Sequence, residues 1–141
     1  MNKVLFSSNY DQWCTPIDLF KNLDQEFNFD VDLCASDENH LCRMYFTALN
    51  SCLDKDFYGK CIYCNPPYSR SMYKFIKKCF DLSKNNNVVM LLPARTDTKW
   101  FHEFIYNKAE IRFLKGRLKF SGSKNFAPFP SMIVIYNRKV F

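Results

Sequence analysis

Glycine is scarce in this chain: three residues in 141, at positions 59, 116 and 122. None of them follows the first predicted strand, so no glycine-rich loop brings bare backbone up to a ligand at that point. Residues that carry side chains must line any pocket there. Histidine is scarcer still, at two residues, and neither a histidine cluster nor a second cysteine pair completes the one suggestive spacing, Cys61-Ile62-Tyr63-Cys64. That tetrapeptide reads as a buried strand rather than a zinc or redox site, and no metal is expected. No apolar run is long enough to cross a membrane and no leader pattern is evident, while the seven cysteines are odd in number and scattered. A reduced, cytoplasmic setting fits that usage better than a secreted disulfide scaffold. No internal repeat or low-complexity tract stands out either.

Hydrophobic residues make up 48% of the chain, enough at this length for one compact domain and too little for a second. We expect a single domain over residues 13–141, preceded by an arm or lid over residues 1–12, which show no hydrophobic period. The net charge of +6 and the pI near 8.9 suit a polyanionic partner, although a solvated basic surface gives the same numbers.

Along the chain, helical and strand patterns alternate, which points to an α/β class. Thr15 ahead of Pro16, with Asp18 three residues on, reads as an N-cap, a first-turn proline and a favourable acid. Leu19, Phe20, Leu23 and Phe27 then fall at helical spacing. Residues 29–33 alternate apolar with acidic, a short strand with Asp32 at its C-terminal end, where open α/β sheets bind ligands. A strand-end acid left partly exposed is the plainer account of Asp32. Residues 39–45 suit a short helix, 43–47 a second strand, and 61–64 the fourth strand of the sheet. Met72, Phe75, Ile76, Cys79 and Phe80 stripe a helix capped by Ser69 or Ser71, with Lys74, Lys77 and Lys78 on its solvated face. After a turn at 85–87, the unbroken apolar run 88–92 predicts a central parallel strand. Asp97 would cap a helix packed by Trp100, Phe101, Phe104 and Ile105, and 111–114 and 132–136 supply two last strands.

Asn65-Pro66-Pro67-Tyr68 stands between the strand at 61–64 and the helix after it. Pro67 pushes Pro66, and Pro66 pushes Asn65, out of the helical region, and each proline removes a backbone donor. The Asn65 side-chain oxygen and the Pro66 carbonyl then offer two acceptors, and Tyr68 a stacking face, to a planar group with an exocyclic amine. An adenine and a primary amide both qualify. Between the last two strands, Arg117, Lys119 and Lys124 accompany Phe126-Ala127-Pro128-Phe129-Pro130. Cations there can hold phosphates while aromatics stack on bases, and a loop packed by its own phenylalanines accounts for the stretch equally well.

Asn65-Pro66-Pro67-Tyr68, taken in order with Trp13-Cys14-Thr15-Pro16 and the stretches 29–35, 92–101, 116–120 and 127–131, resembles the phage-type DNA N-6-adenine methyltransferase family over residues 13–136. The resemblance implies a Rossmann-like class I methyltransferase fold: a mostly parallel seven-stranded sheet with helices on both faces and no separate target-recognition domain. It implies S-adenosyl-L-methionine as cofactor, held by Trp13, Thr15, Pro16, Asp32, Cys34, Ala35 and Asn65, with Cys34-Ala35 standing where most methyltransferases have glycines. Asp54 or Asp56 is a candidate acceptor for the cofactor's adenine amine, with a loop of solvated aspartates as an equal account. No acid is evident for the ribose. Asn65, Pro66, Pro67 and Tyr68 would carry the chemistry, and DNA would be met by Tyr68, Ser69, Arg95, Arg117, Lys119 and Lys124. Arg95 alternatively anchors a loop carboxylate. The resemblance further implies a phage or prophage protein at work in the bacterial cytoplasm, as monomer or homodimer. RNA or a protein glutamine as substrate, and a nucleic-acid-binding module without catalysis, are the alternatives.

Overall fold

Val88, Val89, Met90, Leu91 and Leu92 are inaccessible to solvent, and the sheet is assembled around the strand they form. The computed structural model of the chain describes residues 13–137; the expected arm over residues 1–12 lies outside them. Six strands, β1 (Val31–Asp32), β2 (Met44–Tyr45), β3 (Cys61–Cys64), β4 (Asn87–Pro93), β5 (Glu110–Phe113) and β6 (Ser131–Tyr136), form one sheet in the order β2-β1-β3-β4-β6-β5. The first four in that order run parallel, β6 is antiparallel to β4, and β5 is antiparallel to β6. The fold is therefore α/β with a mixed sheet.

Among the described residues there are six strands where seven were expected, and Cys61–Cys64 is the third of them rather than the fourth. The missing strand falls between β2 and β3. Asn50, Ser51, Asp54, Asp56 and Gly59 interrupt that stretch, Leu49 is fully exposed, and the only regular element is a 3₁₀ turn at Cys52–Asp54. The short helix expected over residues 39–45 does not form either. That segment turns over the end of β1, where the Asp32 carboxylate accepts from Leu41 N–H at 3.0 Å and His40 stacks on Tyr45 at 3.9 Å.

Alternation along the strands splits the core into two layers. Val88, Met90 and Leu92, with Ile62, Cys64, Met132 and Val134, meet the helix α2 (Met72–Leu82) through Met72, Ile76 and Cys79. Tyr63, Val89, Leu91, Ile133 and Ile135 meet α1 (Ile17–Phe27) through Phe20 and Leu23. Helices thus cover both faces, as expected. Cys61 and Cys64 are buried in β3. Three residues apart on a strand, they point to opposite faces and cannot share one ion. Burial pushes the Cys61 thiol up to about 11, so it stays protonated at neutral pH.

Three cap assignments need correction. Neither Ser69 nor Ser71 caps α2 through its side chain: Ser71 precedes the helix without a capping hydrogen bond, and the Ser69 hydroxyl accepts from Ser71 N–H at 3.3 Å. Thr15 does not cap α1: the helix starts at Ile17 with Pro16 as the residue ahead of it, and the Pro16 carbonyl accepts from Phe20 N–H at 3.0 Å. The helical turn beginning at Lys99, which passes through a π-type segment at Phe101–Ile105, is capped by Thr98 rather than Asp97. The Thr98 hydroxyl accepts from Phe101 N–H at 3.3 Å and donates to the Arg95 carbonyl at 2.9 Å. Asn86 does more than turn the chain. Fully buried, it donates to the Phe57 and Leu82 carbonyls at 2.8 and 2.9 Å and accepts from Lys60 N–H at 2.9 Å, tying the approach to β3 to the end of α2.

An ion pair closes the far edge. Arg112 on β5 grips both carboxylate oxygens of Glu26 on α1 at 2.7 Å and reaches Glu110 with its Nε at 2.8 Å. The guanidinium and Glu26 are each about one third exposed, so water screens much of the attraction. Arg112→Met should lower stability by about 1 kcal/mol in low salt and by a small fraction of that in 0.5 M salt, read by urea titration of both proteins.

Candidate active site

Burial of β3 on both faces delivers Asn65 to the C-terminal edge of the parallel strands, and Pro66 and Pro67 hold it there in non-helical geometry. The Asn65 side-chain nitrogen donates to the Trp13 carbonyl and, at 3.2 Å, to the Thr15 hydroxyl. A carbonyl can only accept, so this contact fixes which end of the amide is which. The other end, Oδ1, is buried with no hydrogen-bond partner. An unpaired acceptor costs about 1–3 kcal/mol, so its persistence calls for an explanation. Among the described residues no donor reaches the Pro66 carbonyl either, whereas that of Pro67 accepts from Ser69 N–H at 3.0 Å.

Beside Asn65 lies a cavity of about 390 Å³ at the ends of β1 and β3. Trp13, Thr15, Asp32, Cys34, Ala35, Asn65 and Pro67 line it, all of them singled out from sequence. Asp32 is 3% exposed. Burial lifts its carboxyl from 3.8 to about 6, against hydrogen bonds from the Leu41 and Cys34 backbones that favour the charged form. Lys74 is the other charged side chain on the wall, and the remaining polar groups are neutral: Ser36, Asn39, Thr47, Ser51 and Ser71.

Other expected site residues stand elsewhere. Pro16 and Pro66 flank the wall without forming it. Asp54 is exposed at the end of the 3₁₀ turn, and Asp56 faces solvent, 3.6 Å from Lys78. Ser69 is exposed and shares a hydrogen bond with Ser71 at 2.8 Å. The Tyr68 ring is not open for stacking: Phe129 and Phe120 meet it edge-on at 5.4 and 6.3 Å, and its hydroxyl points to the Leu91 carbonyl at 3.4 Å. Burial pushes that hydroxyl well above its usual range.

The β5–β6 connection, residues 114–130, folds back over this face. Phe120 and Ala127 are buried, while Arg117, Lys119, Lys124 and Phe126 are exposed. It is stapled to the Trp13 segment by Ser121, whose N–H donates to the Cys14 carbonyl at 2.9 Å and whose hydroxyl donates to the Thr15 carbonyl at 3.0 Å. Exposed Arg95 approaches the same loop over the Phe129 ring at 5.9 Å.

Sequence reasoning missed Tyr63, Lys74 and the neutral polar side chains of Asn39, Thr47, Ser51 and Ser71. Lys74 reads as one more cation on a solvated helix face, and only the position of α2 beside the cavity sets it apart. Tyr63 carried a signal: a tyrosine inside an otherwise apolar strand needs a partner for its hydroxyl. Among the described residues no group of three or more His, Cys, Asp or Glu side chains is arranged to hold a metal, and no helix is long and apolar enough to cross a membrane.

A family model described as DNA N-6-adenine-methyltransferase (Dam) matches residues 3–138. The chain is also 38% identical over 112 residues to a protein of Escherichia phage T1 named DNA N-6-adenine-methyltransferase; the match takes in 77% of this chain and 46% of that one. A protein of the same name from Haemophilus phage HP1 is 32% identical over 94% of this chain and 82% of its own length. The chain belongs to the DNA N-6-adenine-methyltransferase family.

The Asp32 environment has a consequence for stability. A carboxyl whose pKa rises on folding stabilises nothing when ionised: its cost is absent below about 4, grows as pH rises, and is complete above about 6. Asp32→Asn, which keeps an acceptor for Leu41, should raise the unfolding free energy at pH 7 by about 1–3 kcal/mol, a gain that vanishes below about pH 4. Denaturant titrations at pH 4 and pH 7 compare the two.

Proposed function

We propose that this chain transfers a methyl group from S-adenosyl-L-methionine to the N6 amine of adenine in DNA. The observation that carries the reading is the buried, unpartnered Oδ1 of Asn65, a residue that lines the cavity. The sheet order, four parallel strands continued by an antiparallel pair, supports a Rossmann-like methyltransferase fold that lacks one strand.

The residues present fit the cofactor. A cavity of about 390 Å³ whose wall mixes apolar side chains, neutral polar groups, the buried Asp32 carboxylate and Lys74 has room for a nucleoside, with a carboxylate for a positive charge. When bound, S-adenosyl-L-methionine supplies an electrophilic methyl on a sulfonium sulfur. Trp13, Thr15, Asp32, Cys34 and Ala35 would hold it, with Asp32 meeting its cationic end. Asp54 and Asp56 face away, so the adenine amine and ribose fall to the neutral groups of the wall.

Asn65 Oδ1 and the Pro66 carbonyl accept from the two N–H bonds of the target amine. The nitrogen lone pair is otherwise delocalised into the ring, and two acceptors favour a tetrahedral nitrogen whose lone pair is available for transfer. Pro66 and Pro67 keep the acceptors in place, so little reorganisation accompanies reaction. The base must leave a duplex to reach the cavity. Stacking on Tyr68 requires Phe129 to swing off its ring. Arg117, Lys119 and Lys124 supply charge for phosphates, and exposed Phe126 supplies an apolar face among them.

An adenine amine and a glutamine amide present the same two protons, so the choice of DNA rests on the relatives' names and on this basic loop. Work on DNA, together with seven unpaired cysteines, supports a reducing host cytoplasm as the setting.

With labelled cofactor and unmethylated single- and double-stranded DNA, mass spectrometry of product nucleosides should find N6-methyladenine. Asn65→Ala should lower turnover per bound cofactor about 10²–10³-fold. Methylation of protein or RNA in a cell extract, with none on DNA, would overturn the DNA reading. Replacing Arg117, Lys119 and Lys124 together by alanine should flatten the slope of log affinity for duplex DNA against log salt by about 2–3, provided each meets a phosphate.

A further inference from the structure

Tyr63 is fully buried, and its ring packs against Phe20 and Phe29 with centroids 5.3 Å away in each case. A phenylalanine would fill that space equally well, and a buried hydroxyl is costly unless bonded. Here the hydroxyl meets the Thr15 hydroxyl at 2.6 Å. Thr15, itself buried, is not spent on capping α1, and its Oγ1 also receives the Asn65 side-chain nitrogen at 3.2 Å. A relay thus runs from the interior of β3 through Thr15 to the amide two residues beyond Tyr63.

We propose that Tyr63 is a positioning residue: through Thr15 it holds the plane of the Asn65 amide and so fixes the direction of its buried Oδ1. The proposal rests on reading Asn65 as the acceptor for the target amine. The Trp13 carbonyl decides which end of the amide faces it, but one contact leaves the amide free to swing about that hydrogen bond. The second contact, at Thr15 Oγ1, removes that freedom. It works only in the rotamer that turns Oγ1 toward Asn65, and whichever hydroxyl donates, the 2.6 Å contact with Tyr63 selects that rotamer. Buried Oδ1 has no partner of its own to hold it in place, so its direction depends on what grips the nitrogen.

Tyr63→Phe removes one oxygen and leaves the ring packing, and a thermal melt confirms that the variant folds. Its kcat for DNA methylation should fall about ten- to a hundredfold, as misplacement of a reacting group does. Cofactor Kd and the KM for DNA should stay within about twofold of wild type. Thr15→Val should lose at least as much, and Tyr63→Phe should add nothing to it, because both break one relay. A second readout needs no substrate: exchange of the Asn65 side-chain amide hydrogens, followed by NMR and assigned by their loss in Asn65→Ala. It should be at least about tenfold faster in Tyr63→Phe. Unchanged exchange, multiplicative losses in the double variant, or a deficit confined to cofactor Kd would each overturn the proposal. A wild type that methylates no DNA would overturn the functional reading instead, and the exchange measurement would still decide the role of Tyr63.

Discussion

The amide of Asn65 is gripped at its nitrogen by two residues some fifty positions earlier in the chain, and the arrangement of the site follows from that grip. With the nitrogen committed to the Trp13 carbonyl and the Thr15 hydroxyl, the oxygen is turned into a buried position without a donor. Strand β3 brings Asn65 to the sheet edge, the prolines keep the chain from becoming helical there, and α1 carries the gripping segment at its N-terminal end. Residues 114–130 then close over that segment through Ser121. Three separate pieces of chain, residues 13–27, 61–67 and 114–130, build this arrangement, none of them sufficient alone.

Electrostatics divides the site into two tasks. At Asn65, on the proposed function, the requirement is an acceptor without net charge, since a neutral amide can polarise an amine without taking its proton. Deeper in, Asp32 supplies a negative charge that burial makes expensive, and backbone donors from Leu41 and Cys34 offset only part of the cost. A folded chain that retains such a group carries a local instability that a cationic ligand would relieve. The glycine scarcity fits the same scheme: where bare backbone cannot approach a ligand, side chains of modest size, Cys34, Ala35 and Ser36, form the wall.

Much of this was legible in the sequence. The apolar run 88–92 fixed the central strand, the proline pair fixed the turn, and 61–64 and 132–136 were readable as strands. The errors over helix caps share a cause: hydroxyl and carboxyl side chains near helix starts have several possible partners, and local pattern names only the nearest. Thr15 reads as a cap from its neighbours, yet its hydroxyl is taken by Tyr63 and Asn65 from across the fold. Asp97 lost the cap role to adjacent Thr98. The absent third strand was expected from resemblance alone, against a stretch whose polar residues and glycine gave no strand pattern. Tyr68 was read as an open face because nothing local announces that Phe120 and Phe129, more than fifty residues later, pack against it.

The connection over residues 114–130 is pinned at a few points: Leu114 to Ser131, Ala127 to Leu118, and Ser121 to Cys14 and Thr15. Between those pins, residues 115–117 and 122–126 carry the exposed Lys115, Arg117, Lys124 and Phe126. Such a layout separates inheritance of the chemistry from inheritance of the surface presented to a substrate. Substitutions in these two short tracts can change the exposed surface while the amide, its grip and the buried carboxylate stay unaltered.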